Sequence, residues 1–153
     1  MSGLYLASQL PRRTELLHQV GIDHTVVTSS YVEDNVVITD PIEMVKAQAL
    51  GKARCANDVP DGSIVLGADT IVVFDGTVLG KPHSKDEART MLRTLSGQVH
   101  SVITGVALLI KGREIVFHNE TKVYFKTLQD FEIESYIDSL EPMDKAGAYG
   151  IQG

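Results

Sequence analysis

The sequence predicts an α/β domain built on a mixed sheet. Strand-like and helix-like segments alternate along its 153 residues, and helical crossovers between strands favour parallel pairing. The two longest strand-like runs, 98–110 and 113–126, share the tight turn Lys111-Gly112, so they are expected to run antiparallel. A second hairpin turn is expected at Asp75-Gly76. We therefore expect a mixed sheet with helices packed against it.

The individual elements follow from periodicity and from the residues that start or stop helices. Pro11 and Pro41 are each placed as the first residue of a helix, and Gly21 is a natural end for the first of them. The run Ser84-Lys85-Asp86-Glu87 has the form of a capping box. Besides the two long strands, the predicted strands are 4–8, 25–28 and 65–74, and the predicted helices are 12–20, 41–57, 85–95 and 128–139.

Composition bounds the class of protein. Residues 1–153 are enough for one domain with a core, and 43% apolar with 22% charged residues argues against a disordered chain. No apolar run reaches the length of a membrane span, and the net charge of −6 argues against a non-specific nucleic-acid binder. The single cysteine, Cys55, excludes an internal disulfide and is predicted to lie mid-helix in the core. We expect a cytoplasmic protein.

The stretch Val65–Phe74 places one acid, Asp69, among apolar and β-branched residues. Burying an ionised carboxylate in such a strand is costly unless it meets a cation, a metal ion or several hydrogen-bond donors. Asp69 is therefore either a structural acid or a working one, and the residues alone leave both readings open. The Asp75-Gly76 turn is expected to fold Lys81 back toward Asp69. An acid and a lysine at a sheet edge suit a phosphate site with a bound cation.

Three further features bear on such a site. Arg12 and Arg13 open the first predicted helix, where free N–H groups and the helix dipole already favour an anion, although two arginines in a first turn are often only solvated. Glu33 lies in a polar, acidic loop, which is usually a solvated loop and less often a metal site. Lys52 lies on the second predicted helix, where a lysine alone signals nothing.

Common nucleotide-binding and catalytic motifs are absent from the sequence. The run Gly76–Pro82 has three residues between its glycines where a P-loop needs four, and Pro82 ends it. Neither the Gly-x-Gly-x-x-Gly fingerprint nor a Gly-x-Ser-x-Gly elbow occurs. The five histidines lack ligand spacing, so each is interpreted as a surface or core residue.

Several short stretches together resemble the Maf family of nucleoside triphosphate pyrophosphatases. They are Leu6–Arg13 with Glu15-Leu16-Leu17, Lys52-Ala53, Leu66–Thr70, Leu79–Pro82, Leu95–Gln98 with His100 and Thr104, and Asp144–Gly153. The match covers essentially the whole chain in the family's order. The closing Asp-Lys-Ala-Gly-Ala-Tyr-Gly-Ile-Gln-Gly is similar to that of the dTTP/UTP-hydrolysing subfamily.

The resemblance implies the Maf and ITPase-like α/β fold, a mixed twisted sheet flanked by helices around a deep cleft. Two departures matter. Gln9-Leu10 stands where family members usually have small residues, which affects the geometry of the presumed phosphate loop. Family members also continue past the position of Gly153 with a strand and a final helix, so we expect this chain to lack that portion of the domain.

The resemblance also implies a reaction, in which a nucleoside triphosphate and water give the monophosphate and pyrophosphate with a divalent cation, Mg²⁺ or Mn²⁺. Asp69 matches the family's proton acceptor, and Glu33 matches an acidic position near the metal. The matches to substrate-specificity positions are Arg12, Thr70 and Gln152, and the matches to polar or basic phosphate-holding positions are Ser8, Arg13, Lys52 and Lys81. Asp69, Lys52 and Lys81 form the expected catalytic group.

The chemistry of a metal-bound triphosphate agrees with these roles, because such a substrate requires a site with both signs of charge. The arginines and lysines, with Lys145 added, can neutralise the triphosphate and the leaving pyrophosphate. Asp69, with Glu33 or Asp144, can hold the cation through oxygen ligands. Asp69 can instead accept the proton of the attacking water, and both roles stay open. Gln152 offers the donor and the acceptor that a pyrimidine edge requires.

Three functions follow from the sequence. The first is a pyrophosphatase for dTTP, UTP and modified pyrimidine nucleotides, which acts in house-cleaning of the nucleotide pool. The second is a nucleotide-binding regulatory protein linked to cell division and septum formation, which binds without cleaving. The third is a fragment with no competent site. The expected partner is the nucleoside triphosphate, with neither nucleic acid nor a membrane, and the resemblance implies a homodimer, as is common in the family.

Overall fold

The structure is a computed structural model, and it describes residues 3–7, 21, 23–31, 40–80 and 82–139. The strands are β1 (Leu4–Ala7), β2 (Thr25–Val27), β3 (Ile64–Phe74), β4 (Thr77–Leu79), β5 (Val99–Ile110) and β6 (Arg113–Tyr124), and the helices are α1 (Pro41–Arg54), α2 (Lys85–Leu95) and α3 (Asp130–Asp138). These bounds confirm the predicted elements to within three residues at each end. The helix predicted at 12–20 lies outside the described residues.

The described strands form one mixed sheet, as predicted. The order is β2-β1-β3-β5-β6, and β4 also pairs with β3. β1 is parallel to both of its neighbours, with Tyr5 opposite Thr25 in β2 and opposite Val65 in β3. β3 and β4 are antiparallel and are joined by the predicted Asp75-Gly76 turn. Both turn residues have positive φ, 49° and 77°, which a tight hairpin of this length favours.

α1 begins and ends with identifiable caps. The Asp40 carboxylate accepts a hydrogen bond from the Ile42 N–H at 2.9 Å, and Pro41 opens the first turn. The helix ends at Arg54, three residues earlier than predicted. The prediction that Cys55 lies mid-helix is therefore wrong: Cys55 is the half-buried C-cap residue, and its N–H donates to Gly51 O at 3.0 Å.

The described chain divides into two compact units. The first unit consists of the described residues up to Asp69 together with Thr104–Asn119. Its core lies between α1 and the sheet, and it is built mostly from alanine: Ala7, Ala49, Ala53, Val65 and Ala107. Small side chains on both sides allow the helix to approach the strands closely.

The second unit consists of Thr70–Ile103 together with the described residues from Glu120 onward. Its core lies between α2 and α3 and contains Ala88, Met91, Leu92, Ile133 and Ile137. α2 starts at the predicted cap, where the Ser84 hydroxyl accepts a hydrogen bond from Glu87 N–H at 3.1 Å. None of the helices in the described part of the chain has the length and apolarity needed to cross a membrane.

Candidate active site

Asp69 lies inside β3 and is 8% exposed. Its sequence neighbours Ala68, Ile71 and Val72 are also buried, so this part of β3 is shielded from water. A charge in such a place needs a partner, because desolvation of an ionised carboxylate costs several kcal/mol. The structure supplies that partner from the neighbouring helix.

Lys52, in the last turn of α1, is that partner. Its Nζ donates to Asp69 Oδ1 at 3.0 Å, and its side chain is 25% exposed, against 11% for that of Asp69. Lys52 is therefore not simply a solvated lysine on the surface of a helix. The two groups that the sequence placed in one catalytic group are in direct contact, and the pair is partly open to solvent.

The backbone of α1 next to Lys52 is held by the segment that follows β2. Ser29 Oγ donates to the carbonyl oxygen of Lys52 at 2.8 Å. Ser30 N–H donates to Cys55 O at 2.9 Å, and Asn57 N–H donates to Thr28 O at 2.9 Å. These bonds fix the end of the helix from which the lysine side chain extends. Sequence reasoning did not identify Ser29, because its bond joins residues 23 positions apart.

Tyr31 lies against the same part of the helix. A Cβ built at Gly51 would overlap the Tyr31 ring, with the ring carbon Cζ at 2.8 Å. Only glycine leaves room for the aromatic ring beside Lys52. Tyr31 is the last described residue before the segment that contains Glu33, which was predicted to contribute to a metal site.

Thr70 follows Asp69 directly in β3 and is half-buried. Successive side chains of a strand point to opposite faces, so the two leave the backbone in opposite directions. The resemblance assigned Thr70 to substrate specificity, and that assignment stays a prediction.

The remaining predicted site residues lie outside the described residues. They are Ser8, Arg12, Arg13, Glu33, Lys81, Lys145 and Gln152, together with the alternative metal ligand Asp144. The predicted return of Lys81 toward Asp69 is among the untested expectations, although the hairpin that precedes it is confirmed.

Asp69 suits a hard divalent cation by the chemistry of its oxygen atoms. Within the described ranges, no three His, Cys, Asp or Glu side chains are grouped closely enough to hold a metal ion. A complete set of ligands would therefore need a residue such as Glu33, or the phosphate oxygens of a substrate, which commonly share such ions with one or two carboxylates.

Two histidine predictions are confirmed in the second unit. His83 is exposed and lies 3.3 Å from Glu87, as expected of a surface histidine. His100 is buried in β5, and its ring packs edge-to-face on Phe125 with centroids 5.0 Å apart. Burial lowers the pKa of His100 below its ordinary value. His100 is thus a core histidine.

The second unit also contains a shallow cavity of about 350 Å³ at the end of β3. Ser101 Oγ donates to Glu120 Oε2 at 2.8 Å and accepts from Lys122 Nζ at 2.8 Å along its wall. Sequence reasoning did not single out this cluster. Its three groups neutralise and bond one another, as in an ordinary cross-strand polar network.

Similarity to known proteins extends over the whole chain. A family model described as Maf-like protein matches residues 3–153. A protein of Symbiobacterium thermophilum named dTTP/UTP pyrophosphatase is 53% identical over 153 residues, which are 100% of this chain and 79% of that protein. Proteins of the same name from Bacillus cytotoxicus and Bacillus anthracis are 46% and 44% identical, over 100% of this chain and 80% of each relative. The resemblance drawn from the motifs is confirmed.

Proposed function

Because this chain belongs to the Maf family, we propose that it hydrolyses dTTP and UTP to the nucleoside monophosphate and pyrophosphate. Modified pyrimidine nucleotides are further proposed substrates. The observation that carries this proposal is the contact of Lys52 with Asp69, within a chain that is 53% identical throughout to a dTTP/UTP pyrophosphatase. The cytoplasm, which holds the nucleoside triphosphate pool, is the proposed compartment, and a homodimer is the proposed assembly.

The paired charges support a division of labour in this reaction. Water must attack the α-phosphorus while the bond to the pyrophosphate oxygen breaks, and negative charge moves onto the leaving group. The Asp69 carboxylate would accept a proton from the water, or, as a ligand of the metal ion, would help to orient the water. The Lys52 ammonium, 3.0 Å from that carboxylate, holds it in place, and we assign to its charge the neutralisation of phosphate oxygen atoms.

The other proposed roles come from the family resemblance. Phosphate binding is assigned to Ser8, Arg13 and Lys81, and substrate specificity is assigned to Arg12, Thr70 and Gln152. The charge of the triphosphate adds Lys145 to the phosphate-binding group. Asp69 and Glu33 are the proposed protein ligands of Mg²⁺ or Mn²⁺. When bound, the cation supplies charge neutralisation at the triphosphate and lowers the pKa of a coordinated water.

The test is pyrophosphate release from dTTP, UTP, CTP and GTP in the presence of Mg²⁺ or Mn²⁺. We expect release from dTTP and UTP, and a loss of at least about a hundredfold in kcat for Asp69→Asn, since positioned acid–base groups contribute roughly 10²–10⁴-fold. The amide has the shape of the carboxylate, so the fold should persist, and the melting temperature checks this. Asp61→Asn, at an exposed turn position, is the matched control and should retain activity.

The regulatory alternative predicts a different pattern. A protein that binds nucleotide without cleaving it would be stabilised thermally by dTTP while releasing no pyrophosphate. That outcome would exclude the proposed enzyme. Full turnover in Asp69→Asn would leave the enzyme in place and remove the role given to Asp69.

A further inference from the structure

Two glycines lie where the sheet of the first unit meets α1. A Cβ at Gly67 in β3 would overlap the carbonyl oxygen of Ala49 and lie 2.9 Å from the Ala53 nitrogen. A Cβ at Gly105 in β5 would overlap the carbonyl oxygen of Val45. Real Cβ atoms essentially never approach other heavy atoms within 3.0 Å. The backbone of the helix therefore rests directly on the backbone of both strands.

The helix presents an equally small surface at this contact. Val45, Ala49 and Ala53 follow one another at intervals of four residues, so they form one stripe along α1. Their exposed fractions are 0%, 0% and 2%. Because the stripe contains nothing larger than valine, the missing side chains of the glycines set the distance between helix and sheet.

The contact at Gly67 reaches the end of α1 that carries the ion pair, although its shortest distance is to Ala49, three residues before Lys52. Ala53, which would meet a Cβ at Gly67, is the residue after Lys52, and Asp69 is two residues after Gly67 on the same face of β3. Packed interiors relieve added volume by moving backbone and side chains. A methyl group at position 67 must therefore lift α1 at the end that carries Lys52, and the ammonium moves away from the Asp69 carboxylate.

We propose that Gly67 is a positioning residue for the reaction: the absence of its side chain sets the Lys52–Asp69 contact. Gly105 supports the same helix farther from the pair, at Val45. This inference rests on the roles proposed above for Lys52 and Asp69. It adds a residue that touches neither substrate nor metal and acts through the height of α1 above the sheet.

The test compares Gly67→Ala with Gly112→Ala. Gly112 has φ of +79°, and a Cβ added there would meet nothing within 4 Å, so alanine at this position strains the backbone without moving α1. We expect Gly67→Ala to lower kcat by about tenfold to a hundredfold, since a displacement of about 1 Å is costly at a reacting centre, with a smaller change in KM. Gly112→Ala should lower the melting temperature and leave kcat unchanged when assayed well below it.

A second change tests whether the loss is one of distance. Arginine reaches farther than lysine, so Lys52→Arg should lower activity in the parent protein and restore part of it in Gly67→Ala. The effect of Lys52→Arg on activity would then be opposite in the two backgrounds. Such a reversal shows that the two positions are coupled, and general destabilisation would not produce it. A crystal structure of Gly67→Ala should show the Nζ–Oδ1 distance lengthened beyond about 4 Å, the limit of an ion pair.

Several results would overturn the inference. A folded Gly67→Ala protein with parental kcat, or with an unchanged Nζ–Oδ1 distance, contradicts it directly. If Gly67→Ala does not fold, Gly105→Ala is the second test, because a Cβ there would displace the same helix at Val45. A parental kcat with an unchanged Nζ–Oδ1 distance in that variant counts against the proposal. The distance stays informative even if Asp69→Asn proves fully active, so failure of the proposed function and failure of the positioning role are distinguishable.

Discussion

Lys52 and Asp69 are separated by 17 positions in the chain. Neither residue, taken alone, indicates whether it belongs to a structural ion pair or to a catalytic one. The apolar run around Asp69 predicted that the carboxylate needs a partner. The identity of that partner depends on how α1 packs on β3. The contact at 3.0 Å with partial exposure of both side chains fits a site that a charged substrate can reach.

At the same scale, the burial of His100 predicts that the stability of the fold falls at low pH. Burial lowers the pKa of His100 in the folded protein, whereas in the unfolded chain this pKa stays at about 6.5. As the pH falls below about 6.5, the unfolded chain binds a proton first, so stability declines down to the folded-state pKa. Well above about pH 6.5, His100 is neutral in both the folded and the unfolded chain, so it adds no pH dependence to stability. Melting temperatures measured from about pH 7.5 to about pH 5 should therefore fall more steeply for the parent protein than for His100→Gln.

The control for this measurement is His118→Gln, because His118 is exposed in β6. That variant should keep the parental slope. Parallel pH curves for the parent and His100→Gln would show that His100 does not supply the effect.

At the scale of elements, helix starts were predictable because their signals are local. Asp40, Pro41 and Ser84 each act within four residues of their own position. The apolar residues that α2 buries are Ala88, Met91, Leu92 and Leu95. The bond from Arg89 to Glu134 joins α2 to α3 across 45 positions, and no local pattern reveals it. Local chemistry decides where an element begins, whereas contacts between elements depend on the fold.

The cap of α2 supports a prediction of stability. Ser84→Ala removes the acceptor of the Glu87 N–H bond, and loss of such a cap typically costs about 1 kcal/mol. Ser84→Asp supplies another acceptor and should retain most of the stability. Urea unfolding of the two variants measures the difference. Equal stability of Ser84→Ala and the parent would show that water replaces the cap at no cost.

At the scale of the whole molecule, the net charge is −6 and the proposed substrate is a polyanion. Net repulsion makes neutralisation of the triphosphate essential, so we expect EDTA to abolish turnover and added Mg²⁺ or Mn²⁺ to restore it. Sodium chloride at matched ionic strength is the control, because it screens charge without binding as a divalent cation does. Undiminished turnover in EDTA would contradict a requirement for the metal.

The sequence by itself determined the mixed sheet, the two hairpin turns, the starts of α1 and α2, and the family, because each depends on neighbouring residues or on ordered motifs. It also named Asp69 and Lys52 as candidates. Only the tertiary structure decided that these two meet, that Ser29 holds the helix beside them, and that Gly67 lets α1 approach β3. The reason is physical: such contacts join distant positions, and their distances are set by packing of α1 on the sheet, which no local pattern records.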